Sequence, residues 1–143
     1  MTLPVLKARN CRWIDVPGAS DVRGSVNLLQ LGKGLDFEPR RFFYLNHVAP
    51  GQSRGRHGHR ETKLLLIAVS GSCRAHLDDG TVKEAVALSD PARALYVAPW
   101  VWYELTDFVP GTVIVVLAST AFDAAEYVRD YEVFQREVGM HAR

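Results

Sequence analysis

Two histidines separated by one residue, His57 and His59, follow a turn rich in glycine and arginine, Gly51-Gln-Ser-Arg-Gly-Arg56. Side chains alternate faces along an extended strand, so both imidazoles project to one side and Gly58 to the other. An imidazole titrates near neutral pH, so two that share a cavity can take up and return protons. That is general acid and base chemistry, and it needs neither a metal nor a redox partner. Arg54 and Arg56 on the turn, with Arg41 on the preceding strand, carry forked guanidinium groups suited to a phosphate. Basic groups beside two candidate bases indicate a small phosphorylated substrate. The remaining histidines, His47, His76 and His141, stand alone and read as surface or structural residues.

The elements that must position this pair read as short strands. Apolar or alternating runs over 41–48, 62–69, 73–77, 81–88, 94–98, 101–108 and 112–118 are divided by Gly, Pro, Asp and Ser turns. Such spacing belongs to an all-β sandwich or barrel. Asp78-Asp-Gly80 is the strongest hairpin signal. After residue 120 the period changes: Tyr127, Tyr131, Phe134 and Val138 fall on one face of a helix. An amphipathic helix is therefore expected from Tyr127 onward, covering one end of the sheet.

The chain has 143 residues, 48% apolar and 23% charged, enough for one domain with a substantial core. A net charge of +1 gives no field to recruit nucleic acid or an anionic membrane. The longest apolar runs, 64–69 and 113–118, are too short to cross a bilayer. Residues 1–10 hold two charges and a proline where a signal peptide has a continuous apolar stretch, so a cytoplasmic protein is expected. Cys11 and Cys73 have no paired spacing and read as small buried side chains.

The set Gly51, His57, His59 and Gly71 resembles the first cupin motif. Leu64 stands where a metal-binding cupin carries glutamate, and Glu104 where its second motif carries histidine. Two of four donor positions thus fail to match, which favours a metal-free site over a cupin oxygenase.

More broadly, the chain resembles the sugar 3,4-ketoisomerases, small cupin enzymes that act on thymidine diphosphate (dTDP) 4-keto-6-deoxyglucose. The resemblance runs through Asp21-Val-Arg-Gly-Ser25, Arg41-Phe-Phe-Tyr44, Arg54-Gly-Arg-His-Gly-His59 and Gly71-Ser-Cys73. It continues through Leu77-Asp-Asp-Gly80, Leu95-Tyr-Val97, Pro99-x-x-Trp102, Asp107-Phe108, Leu117-Ala-Ser119 and Glu126-Tyr-Val-Arg-Asp-Tyr131. It implies a cupin jelly-roll barrel spanning 1–143 as a single domain, with no cofactor. It also implies that one of His57 and His59 moves a proton from sugar carbon 3 to carbon 4 through an enediol. The other histidine, with Tyr44, would exchange protons between the sugar oxygens. Arg41 and Arg54 would anchor the substrate, while Trp102 would wall the cavity and Tyr103 would face the sugar. A homodimer with exchanged N-terminal strands would bring Arg23 to the partner's site.

The chain departs from this pattern at several places. Arg56 and Gly58 replace an apolar residue and an alanine, and Lys63-Leu64 replaces a Glu-Gln pair. Tyr103 stands where relatives often carry histidine or arginine. Phe122 and Glu126 replace tyrosine and aspartate, with no catalytic effect expected. The competing readings are a non-catalytic sugar-nucleotide-binding cupin, motivated by Lys63 and Leu64, and a 3,5-epimerase.

Overall fold

Asp79 closes a tight turn, its carboxylate accepting from the backbone N–H groups of Thr81 and Val82 at 2.8 and 2.7 Å. This turn joins β7 (Cys73–Asp78) to β8 (Lys83–Leu88), an antiparallel pair in register from Cys73–Leu88 to Asp78–Lys83. The computed structural model describes residues 5–141. Before this hairpin come β1 (Arg12–Asp15), β2 (Gly18–Asp21), β3 (Gly24–Asn27), β4 (Arg41–Asn46), β5 (Arg54–His59) and β6 (Leu64–Ser70). After it come β9 (Arg93–Val97), β10 (Trp102–Thr106), β11 (Val113–Ala118), a single 3-10 turn at Ala124–Glu126, the short β12 (Tyr127–Val128) and, as the one α-helix among the described residues, α1 (Tyr131–His141). Every expected strand forms, with ends shifted by up to two residues.

The strands build two five-stranded antiparallel sheets, ordered β1-β9-β6-β11-β4 and β12-β5-β10-β7-β8. Their apolar faces form one core, in which Leu66, Leu77, Leu95, Leu105, Ile114 and Val116 are almost fully enclosed. Burial of side chains of this size supplies the main driving force, about 1.5–3 kcal/mol each. Cys11 and Cys73 are buried and unpaired, and burial pushes their thiols up to about 11 and about 12. The small hairpin β2–β3 pairs only with itself among the described residues, and both of its strands are exposed.

The C-terminal segment corrects the sequence reading. Tyr127 lies on β12, which pairs Tyr127 with His59 and Val128 with Gly58, and the helix starts only at Tyr131. Asp130 sets that boundary, because its carboxylate accepts from the N–H groups of Glu132 at 2.9 Å and Val133 at 3.2 Å. From there Phe134 and Val138 turn inward and join Trp100 and Val128 in a second apolar cluster. The helix thus backs β5: a Cβ on Gly58 would lie 3.3 Å from the Phe134 ring.

Candidate active site

His57 and His59 leave β5 on the same side, and their Nε2 atoms meet at 3.2 Å. Both rings are buried, at 8% and 3% exposure, so the pair works largely apart from bulk water. A chain of hydrogen bonds fixes each ring. His57 Nδ1 donates to the Gly55 carbonyl at 3.0 Å, an oxygen that can only accept. His59 Nδ1 donates to Glu126 Oε1 at 2.5 Å. One more hydrogen is needed between the two Nε2 atoms, since two lone pairs would otherwise face each other. The pair therefore holds three hydrogens on four ring nitrogens, one more than two neutral imidazoles carry.

The two rings differ in electrostatic setting. Burial, reinforced by the charge interaction with His59, holds the His57 imidazole down at about 4, so His57 stays neutral. Its Nε2 is the lone pair of the site. Glu126 supplies the opposite charge. Burial opposes ionisation of its carboxyl, but hydrogen bonds from His59, Thr62 and the Glu61 N–H prevail and bring it down to about 2. Oε1 also accepts from the Thr62 hydroxyl, and Oε2 from the N–H groups of Arg60, Glu61 and Thr62 at 3.0, 3.1 and 3.3 Å.

Aromatic rings wall the pair. Tyr127 lies 4.8 Å from His57 and 4.4 Å from His59 between ring centroids, and Tyr103 lies 5.0 Å from His57. Burial raises the Tyr103 hydroxyl far above its ordinary range, so it remains protonated and can donate. Arg41 reaches in from β4, its Nη1 donating to the Tyr127 hydroxyl at 3.0 Å. Its Nε and Nη2 are buried without a partner among the described residues. Such unsatisfied donors are costly unless an anion takes them, so this guanidinium is built to receive one. Arg54 and Arg129 join Arg41 in acting on Tyr103, and Arg129 also lies over the Tyr127 ring at 4.5 Å.

Local backbone geometry brings Arg54 to this side. On an unbroken strand, residues three apart face opposite ways. Between β5 and β10, however, Tyr103 pairs with His57 and the next residue, Glu104, pairs with Gly55. Arg56 is thus one residue extra, a β-bulge, with φ of 60° after Gly55 at 90°. Gly55 is required there, because a Cβ would stand 2.9 Å from the Tyr103 ring.

The structure gathers His57, His59, Arg41, Arg54 and Tyr103, and it leaves three expected residues elsewhere. Tyr44 is exposed on the opposite face of β4 from Arg41, with Phe42 as its neighbour. Alternation along the strand explains this, for Arg41 and Tyr44 are three apart on a regular strand. Tyr127 is the tyrosine that covers both imidazoles. Trp102 is adjacent to Tyr103 and so faces the other way, packed on Tyr131 and Phe134 under the helix. It walls no cavity shared with the histidines. Arg23 sits exposed at the β2–β3 turn, paired with Asp21 at 2.5 Å. Sequence reasoning missed Glu126, which was expected to be catalytically silent and instead holds His59 from 67 residues away. No local pattern marks Glu126 in the sequence, because the contact is closed only when β12 pairs with β5.

Comparison with known proteins follows the same lines. The family described as WxcM-like, C-terminal (FdtA) matches residues 9–139. The TDP-4-oxo-6-deoxy-alpha-D-glucose-3,4-oxoisomerase of Aneurinibacillus thermoaerophilus is 36% identical over 118 residues, covering 82% of this chain and 85% of its own. Among solved structures, the WlaRB TDP-quinovose 3,4-ketoisomerase of Campylobacter jejuni superposes with a TM-score of 0.84 at 37% identity, over 90% of this chain and 98% of that one. A histidine-to-asparagine mutant of the 3,4-ketoisomerase QdtA from Thermoanaerobacterium thermosaccharolyticum, in complex with TDP-4-keto-6-deoxyglucose, gives 0.89 at 29% identity, over 92% and 96%. The chain belongs to the WxcM-like, C-terminal family and is an isomerase of the 3,4-ketoisomerase kind.

Proposed function

We propose that the chain converts a dTDP-4-keto-6-deoxyhexose into its 3-keto isomer, with His57 as the base and His59 as the proton donor. The observation that carries this reading is the Nε2–Nε2 contact of 3.2 Å, in which one proton serves two nitrogens. The hydrogen on carbon 3 is acidic because carbon 4 is a ketone. His57 Nε2 takes it, the C–H electron pair becomes the carbon 3–carbon 4 double bond, and the carbonyl oxygen at carbon 4 takes a proton from His59. In the second half, oxygen 3 returns its proton to His59 and becomes the ketone, while carbon 4 takes the proton held by His57. Electrons and protons balance within the sugar.

Arg41 is the anchor for the diphosphate, supported by its two unpartnered nitrogens, and Arg54 and Tyr103 line the same approach. The protein acts as a homodimer whose β2–β3 arms are exchanged, so that Arg23 serves the partner's site. Support comes from the fully exposed hairpin and from β4, an edge strand presenting Phe42 and Tyr44 to solvent. Among the described residues no helix is long and apolar enough to cross a membrane. A cytoplasmic site of action goes with this reading, because a charged nucleotide sugar does not diffuse through a bilayer.

The test is incubation with dTDP-4-keto-6-deoxyglucose in deuterated water, followed by NMR of the sugar. Deuterium at carbon 4 of a 3-keto product is expected. Exchange at carbon 5 would identify an epimerase, and an unchanged but bound sugar a binding protein.

A further inference from the structure

We propose that Glu126, seated by Thr62 and the 60–62 backbone, is a positioning residue that makes His59 the proton donor and leaves His57 the acceptor. The assignment rests on the isomerase reading given above and adds what sets the direction of proton flow. Geometrically the two histidines are alike: both lie on β5, both are buried, and each offers Nε2 to the other. What differs is the partner of Nδ1. His57 donates to the Gly55 carbonyl, a neutral acceptor, and His59 to the Glu126 carboxylate. The charged carboxylate stabilises an imidazolium far more than the neutral carbonyl does.

The surroundings leave Glu126 as the source of this asymmetry. The groups facing the pair are Tyr127 from β12, Tyr103 from β10, Arg41 from β4 and Arg129 beyond β12. Two are neutral phenols and two are cations, so none favours a second positive charge. Among the described residues Glu126 is the one carboxylate bonded to either ring. Its own geometry is over-determined: each oxygen accepts more than one hydrogen bond, so the carboxylate cannot swing away from His59. Glu126 touches no reacting atom and works entirely through His59.

The experiment uses the full-length protein with the ring nitrogens labelled with nitrogen-15. In the resting enzyme near neutral pH, NMR is expected to show His59 protonated on both nitrogens and His57 carrying a free Nε2. A neutral His59 in the wild-type protein overturns the proposal, whether or not the sugar is turned over, which separates it from the isomerase reading. In Glu126→Gln, His59 loses the second proton, turnover near neutral pH falls on the order of 100-fold, and the activity optimum moves to lower pH, where solvent restores that proton. Glu126→Asp keeps the charge, so its His59 signature and pH profile stay with the wild type. A folded Glu126→Gln protein with wild-type ring signals and an unshifted profile overturns the assignment, as does Glu126→Asp behaving like Glu126→Gln. If Glu126→Gln does not fold, the wild-type and Glu126→Asp spectra decide alone.

Discussion

The interior around the histidines and the N-terminal arm differ in how much of their chemistry is finished. At the β5 face every ring nitrogen of His57 and His59 has a partner, the carboxylate on His59 is fully bonded, and a packed helix stands behind the strand. On the arm, β2 and β3 pair only with each other among the described residues, Val22 and Val26 are exposed, and the Arg23 guanidinium pairs only with the nearby Asp21. Proton transfer needs groups held to fractions of an ångström, so it is built where packing is dense. Substrate capture needs reach and access, and it is left to the edge. Arg41 lies between these extremes, half-buried, with two enclosed nitrogens unspent.

The sharpest way to break this contrast is at its finished end. His57→Asn removes the lone pair that takes the proton while keeping a side chain of similar size. Deuterium exchange into the keto sugar should fall by roughly a hundredfold to ten-thousandfold with the fold intact. Full exchange in that variant sinks the mechanism. Next comes the intermediate residue. Arg41→Leu should raise KM for the nucleotide sugar roughly 10- to 100-fold and leave the melting temperature unchanged or higher, because it removes a buried cation whose bonds are unmet. A large loss of stability without a change in KM would show that Arg41 is structural.

Stability against pH sharpens the same comparison. His57 titrates at about 4 in the folded protein and near its ordinary value once unfolded, so the unfolded chain binds the extra proton first as pH falls. Folding stability should therefore drop between about pH 6.5 and 4 and gain no further loss from this group below that. Glu126 acts in the next window: its stabilisation is complete above the unfolded carboxyl value of about 4.3 and drains away as pH falls toward 2. Denaturant titrations across this range, compared with His57→Asn, should show the first decline flattened in the variant. The smallest effect belongs outside the cavity. Tyr44→Phe should change turnover by less than about threefold, since a surface substitution of this kind stays near 0.5 kcal/mol; a loss approaching that of His57→Asn would return Tyr44 to the reacting groups.

How much of this was legible beforehand depended on whether one rule covered the residues concerned. The His57–His59 pair was readable because alternation is local, and the β7–β8 hairpin followed from the turn residues Asp78-Asp-Gly80. The same rule, applied fully, would have separated Arg41 from Tyr44 and Trp102 from Tyr103. Tyr127 was misread because its spacing to Tyr131 and Phe134 fits a helix, while Asp130 caps that helix three residues later. Glu126 had no local signature at all: its meaning comes from a contact closed across the sheet by β12 pairing with β5.

The bulge at Arg56 ties two tasks to one residue of chain length. Strand parity is a binary property, so removing Arg56 would restore regular alternation along β5 and turn Arg54 to the far side of the sheet. The same change would displace the Gly55 carbonyl that holds His57 Nδ1, so the extra residue sets both the reach toward ligand and the seating of the first imidazole.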